Sequence, residues 1–212
     1  MRDSPDEPSR RRSPPASDPS DERRARWESE WSRADFAPRW RARTIPIEVR
    51  QAVEQGWFPP GEAVLDIGCG SGEIAAWLAR QGYEVVGIDF SGSAISRAQG
   101  EYREVQALRF EEVDITREGL PTRRFGALLD PGCLQGVPPE AQRDYVRNVA
   151  AAAKTGAPLL LLHRILPDTT REDTVPTLEA LCQGTFDVVR IADTVLARDP
   201  AHRRKCMESR VG

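Results

Sequence analysis

The segment Val64-Leu65-Asp66-Ile67-Gly68-Cys69-Gly70-Ser71-Gly72 constrains this chain more than any other. A short apolar strand over residues 63–67 runs straight into three alternating glycines. A helical pattern over 73–81 follows, with Ile74, Trp77 and Leu78 inward and Gly82 as its stop. Glycines let the chain turn sharply and bring backbone N–H groups and a helix N-terminus against a ligand, where a side chain would block approach. The segment therefore reads as a nucleotide-type loop. A second strand over 84–89 ends in Asp89, 21 positions beyond Gly68. At that spacing an acid on the strand tip can accept both hydroxyls of a ribose.

Around this unit, strand and helix alternate. Further strands are predicted at 108–115, 125–130 and 158–163, with helices at 93–98 and 139–154. The strands are continuously apolar, which implies a parallel sheet covered by helices on both faces. Near the end the pattern breaks. A short helix near 175–182 leads to a strand at 186–196, a turn at Arg198-Asp199-Pro200-Ala201, and a returning strand at 205–211. The expected fold is thus α/β and doubly wound, a mostly parallel seven-stranded sheet with a C-terminal antiparallel hairpin.

Ahead of the first strand lie two regions of different character. Residues 1–26 are rich in Arg, Ser, Pro, Asp and Glu without apolar periodicity, so they are expected to be a disordered tail. Residues 27–58 read as a helical lead-in. Trp27 and Trp31 fall one helical turn apart, Trp40 follows, and a helix over 45–55 begins near Pro46 and stops at Gly56. The domain proper is taken as 27–212, with its lead-in closing over the ligand as a lid.

Charge and cysteine usage exclude several functions. Lys and Arg number 30 against 33 Asp and Glu, a net charge of -3, which offers no general footprint for nucleic acid or an anionic membrane. The longest apolar run, 157–162, is far too short to span a bilayer, and Met1-Arg2-Asp3-Ser4-Pro5 opens no apolar signal core. A cytoplasmic protein is expected, a monomer or homodimer. Cys69, Cys133, Cys182 and Cys206 are widely separated and only two His are present, which argues against a zinc cluster or a disulfide scaffold. No metal is expected.

The ligand is narrowed by details of the loop. A dinucleotide fingerprint needs G-x-G-x-x-G, but here the third glycine is Gly72 and position 73 is Glu. Asp66 puts a negative charge just before the bend, poor for a pyrophosphate and good for a cation such as a sulfonium with its amino group. With D-I-G-C-G-S-G followed by V-V-G-I-D-F-S, the chain resembles the class I S-adenosylmethionine-dependent methyltransferases. The Trp-rich lead-in and Leu128-Leu129-Asp130-Pro131-Gly132-Cys133-Leu134-Gln135 further resemble the branch typified by thiopurine, thiol and halide methyltransferases, with Gln135 where that branch commonly has His.

The resemblance implies S-adenosyl-L-methionine as cofactor and a small molecule as methyl acceptor. By the family pattern, Asp66 and the backbone of Gly68, Cys69 and Gly70 would hold the methionine end and Asp89 the ribose. Phe90 would line one adenine face, and Asp114 with Ile115 would meet the adenine edge. Asp130 would lie beside the amino group and the transferred methyl. Trp27 and Trp31 are candidates for cofactor contact, and equally for pinning the lead-in to the sheet. His163, at the ligand edge of the fifth strand, is a candidate base, and Asp130 and Gln135, bordering the acceptor, are the other catalytic candidates. Cys69 and Cys133 read as small lining groups. An amino-directed nucleic-acid acceptor is not expected, since Asp130-Pro131 continues with Gly132-Cys133. An NAD-linked oxidoreductase and a non-catalytic scaffold with the same fold stand as alternatives.

Overall fold

The computed structural model describes residues 19–38, 45–120, 125–165, 170–195 and 203–211. Trp40, the first 18 residues, the turn at 198–201 and His202 lie outside them. Five strands pair in parallel in the order β3-β2-β1-β4-β5: β1 (Ala63–Ile67), β2 (Glu84–Asp89), β3 (Leu108–Glu112), β4 (Ala127–Asp130) and β5 (Pro158–Arg164). Beyond β5 the chain adds β6 (Phe186–Val195) and β7 (Arg203–Val211), with β7 antiparallel to β5 and β6 antiparallel to β7. The sheet is mostly parallel, as expected.

The order of strands reverses between β1 and β4, because the chain builds outward through β2 and β3 before crossing to the other side. At such a switch point the connections leave in opposite directions and open a crevice over the strand ends. The glycine bend, Asp89 and Asp130 all lie at this edge.

Both faces of the sheet are covered, which explains the unbroken apolar strands. Leu65, Ile67, Leu128, Leu159 and Leu161 pack with Tyr145 and Val149 of α5 (Pro139–Ala152) and with Leu178 of α6 (Arg171–Cys182). Val64, Val85, Leu129, Leu160 and Leu162 pack on the other side. There they meet Val49 of α2 (Ile47–Glu54), Leu78 of α3 (Glu73–Arg80) and Ile95 of α4 (Gly92–Glu101). No helix among the described residues is long and apolar enough to cross a membrane.

Several boundaries differ from expectation. The expected tail 1–26 is helical from residue 19, since α1 spans Pro19–Ser32. Asp21 and Glu22 in its first turn favour the positive end of the helix dipole. Its arginines hold partners on the sheet edge, so tertiary contacts outweigh an unpromising composition. β3 stops at Glu112 rather than 115, because the Asp114 side chain accepts from the Thr116 N–H (3.1 Å) and hydroxyl (2.6 Å) and folds the chain out of the sheet. β4 starts at Ala127, with Phe125 forming an isolated bridge to Ala153. Helix α6 starts at Arg171, earlier than expected, behind a reciprocal Thr170–Asp173 capping box.

Candidate functional site

The glycine bend is as tight as its sequence requires. Gly68 has φ +68° and Gly70 φ +55°, and a Cβ at either would meet a neighbour: Cys133 Cβ at 2.7 Å from Gly68, Trp31 Cζ2 at 3.0 Å from Gly70. The bend is therefore roofed by an indole from α1 and flanked by the turn after β4. Asp66 sits beneath it on β1, fully buried, with neither carboxylate oxygen in a hydrogen bond among the described residues. Burial first, and then the nearby Asp130 charge, push its carboxyl up to about 8; the Ala75 N–H, close but not placed for a full hydrogen bond, opposes the rise, and Asp89 and Glu73 add to it. A buried, unpartnered acid is costly and calls for a partner. The chemistry that relieves it is a hydrogen-bonding cation, which fits a sulfonium amino acid and opposes a pyrophosphate.

Asp89 ends β2 with its oxygens turned to the crevice. Oδ2 accepts from the Gly70 N–H (3.0 Å) and Oδ1 from the Ser91 N–H (3.0 Å), which leaves lone pairs for two hydroxyls. Burial raises its pKa, while those N–H groups and Arg23 oppose the rise. Phe90, the expected adenine platform, carries a guanidinium instead: Arg23 Cζ lies 4.7 Å from its ring centroid. Asp114 is buried and committed to Thr116, with Arg24 Nη1 at 3.7 Å and Arg117 Nε at 3.9 Å. Ile115 is core, and its carbonyl accepts from Asn148 (2.8 Å).

On the other side of the crevice, Asp130 builds a turn. Its carboxylate accepts from the N–H groups of Gly132 (2.7 Å), Cys133 and Leu134 (2.9 Å), and from the Tyr145 hydroxyl. These four donors tie Asp130 to the 3-10 turn Leu134–Gly136 that follows β4. Gln135 in that turn accepts through Oε1 from the Arg164 N–H (2.9 Å), tying the turn to the end of β5. His163 continues the Leu159–Leu161 face of β5 and is half-buried, with Nδ1 buried and without a hydrogen-bond partner among the described residues. Burial lowers its pKa, so its ring is neutral near pH 7 and able to take a proton. Burial drives both Cys69 and Cys133 well above the ordinary thiol range, which suits lining groups rather than nucleophiles.

Helix α1 supplies residues that sequence reasoning passed over. Glu28 accepts from the Ser91 hydroxyl (2.6 Å) and from the Ser93 N–H (3.2 Å) and hydroxyl (2.5 Å), at the N-terminus of α4. These hydroxyls hold the Glu28 carboxyl below its usual range. Arg24 pairs with Glu112 (3.0 Å) and Asp21 with Arg117 (2.7 Å). Arg97 of α4 donates to the carbonyls of Trp31 (3.2 Å), Arg33 (2.9 Å) and Phe36 (2.8 Å), closing the C-terminal end of α1. The four-residue spacing of Arg23, Trp27 and Trp31 put them on one helical face. That spacing, carried one turn upstream of Trp27, is the signal that would have found Arg23. Trp27 itself stacks with Arg26 (5.7 Å), and only Trp31 of the two reaches the bend in the contacts described.

Of the expected residues, Asp66, Gly68, Gly70, Asp89 and Cys133 converge at one crevice, and Trp31 joins them from α1. Asp114 and Ile115 are committed to the β3 exit. Residues 64–156 match a family described as methyltransferase domain. Among curated proteins, the chain is 32% identical over 127 residues to 2-heptyl-1-hydroxyquinolin-4(1H)-one methyltransferase of Mycobacteroides abscessus, covering 59% of this chain and 55% of the relative. It is 35% identical over 99 residues to ubiquinone biosynthesis O-methyltransferase of Albidiferax ferrireducens, covering 45% of this chain and 38% of the relative. The chain thus spans about half or less of the length of these relatives. Among solved structures it resembles 1,6-didemethyltoxoflavin-N1-methyltransferase of Burkholderia thailandensis with bound 1,6-didemethyltoxoflavin and S-adenosylhomocysteine. That likeness has TM-score 0.73 and 18% identity, over 94% of this chain and 93% of the other.

Proposed function

We propose, from the premise that this chain carries a methyltransferase domain on the class I fold, that it binds S-adenosylmethionine and passes the methyl group to a small-molecule acceptor. The observation that carries this reading is the fully buried Asp66 carboxyl, unpartnered beneath a bend of bare glycine backbone. When bound, the cofactor would supply a methyl carbon already activated by positive sulfur, open to displacement by an acceptor's lone pair with the sulfur as leaving group. The protein's share is to align and to exclude water.

In this reading Asp66 and the backbone of Gly68, Cys69 and Gly70 hold the cationic methionine end. Asp89 accepts the ribose hydroxyls and Phe90 meets the adenine. Residues 27–58, together with α1 from residue 19, act as the lid. The names of the relatives favour an acidic hydroxyl on a small ring as the acceptor. Such a hydroxyl must lose its proton, and His163 is the neutral base at the β5 end. Gln135 borders the acceptor and Asp130 holds the turn that shapes its pocket.

The test is incubation with isotopically labelled S-adenosylmethionine and matched phenols, N-hydroxy heterocycles, thiols and amines, with the label followed by mass spectrometry. Label should pass to a hydroxylated ring compound, and His163→Gln should lower kcat by about 100-fold, the ordinary scale of a general base. Label that passes to none of these overturns the reading.

A further inference from the structure

The crevice that should receive the cofactor is bridged by a side chain of the protein itself. Arg23 reaches from α1 across the strand ends. Its guanidinium lies over Phe90, which follows β2, at 4.7 Å from the ring centroid. Its Nη1 donates to the carbonyl of Gly136, beyond β4, at 2.8 Å. One planar cation thus spans the two sides of the switch point. Its charge acts on Asp89 from above and reaches Cys133 in the turn. The Nε hydrogen is buried and, among the described residues, has no acceptor, so Arg23 is not held by a completed structural site.

The separation decides what can share this space. A planar base inserted between the guanidinium and Phe90 needs two stacking intervals, about 7 Å in all, and 4.7 Å provides one. Arg23 also supplies a positive charge over a carboxylate floor, the property that recommends the cofactor for the same crevice. From these contacts we propose that Arg23 is an internal competitor of S-adenosylmethionine, a cationic plug that stands in the crevice while it is empty and must withdraw for the adenosyl group to seat. This inference rests on the proposed cofactor and goes beyond it.

The rest of α1 makes the plug a latched one. Glu28 on the α4 N-terminus, the Arg24–Glu112 and Asp21–Arg117 pairs, and Trp31 over Gly70 hold α1 down along the crevice. Arg97 fixes its far end. If the plugged form predominates, the apparent dissociation constant exceeds the intrinsic one by the inverse of the open fraction. Removing the plug therefore strengthens binding, whereas removing a ligand-contacting arginine weakens it. The two roles differ in sign.

The test is calorimetric titration of wild-type protein and of Arg23→Met with S-adenosylmethionine, alongside stopped-flow tryptophan fluorescence. Arg23→Met should bind about 3- to 30-fold more tightly, the range expected for a partly desolvated cation–aromatic contact with a hydrogen bond, and its association rate should rise. Thermal melts of both proteins check that the fold is equal. Glu28→Gln, which loosens the latch and leaves the plug, should raise association and dissociation rates together. Binding by Arg23→Met that is unchanged or weaker overturns the plug while leaving the cofactor reading intact. Absence of binding in wild type and variants alike overturns both.

Discussion

At Asp66 two requirements oppose each other, because the fold buries a carboxyl completely while giving its oxygens no hydrogen bond among the described residues. The result is a carboxyl whose pKa is raised from 3.8 to about 8 in the folded chain. Between those values the folded state holds a proton that the unfolded state has released, so stability falls as pH rises through this window. Asp66→Asn removes the titration. In urea melts of the ligand-free protein from pH 5 to 8.5, the variant should lose less stability than wild type as pH rises, and it should bind cofactor more weakly. An equal slope in both proteins would show that Asp66 is ionised and satisfied. A second residue-scale outcome concerns the bend. Gly68→Ala combines left-handed backbone, φ +68°, with a Cβ 2.7 Å from that of Cys133. A loss of about 2–4 kcal/mol follows from strain and overpacking together, measurable by urea unfolding.

Between elements, the turn after β4 depends on α5 reaching β4. The fully buried Tyr145 donates its hydroxyl to Asp130, which holds the following turn through three backbone N–H groups. Tyr145→Phe should cost about 1.5–3 kcal/mol, the scale of a hydrogen bond to a charged acceptor, with thermal unfolding as the measurement. β1 and β2 were legible to the residue, because apolar periodicity and glycine stops are strong local signals. The ends of β3 and α6 were not, since each is set by a side chain bonding its own backbone, at Asp114 and Thr170. α1 was missed through residue 26 because its stability comes from Arg23, Arg24 and Glu28 meeting partners 63 to 113 positions away, which no local window reveals. That Asp66, Asp89 and the glycines come together at one strand edge was readable from spacing. Tyr145 was not, since it lies in no motif, and Arg23 was legible only as one more step of the Trp27–Trp31 spacing.

At the scale of the molecule, a mostly parallel sheet reverses its strand order between β1 and β4, and the crevice over that reversal combines acid below with the Arg23 cation of a latched helix above. A cation that settles on Asp66 must drive off its proton. At pH 7 a carboxyl with a pKa of about 8 is mostly protonated, so binding should release protons. Calorimetric titration with S-adenosylmethionine at pH 7, in two buffers of different ionisation enthalpy, reads this directly. Wild-type protein should bind and release protons, and Asp66→Asn should bind more weakly and release none. No heat at millimolar ligand, or an identical proton count in the two proteins, would contradict a methionine-end cation held on Asp66.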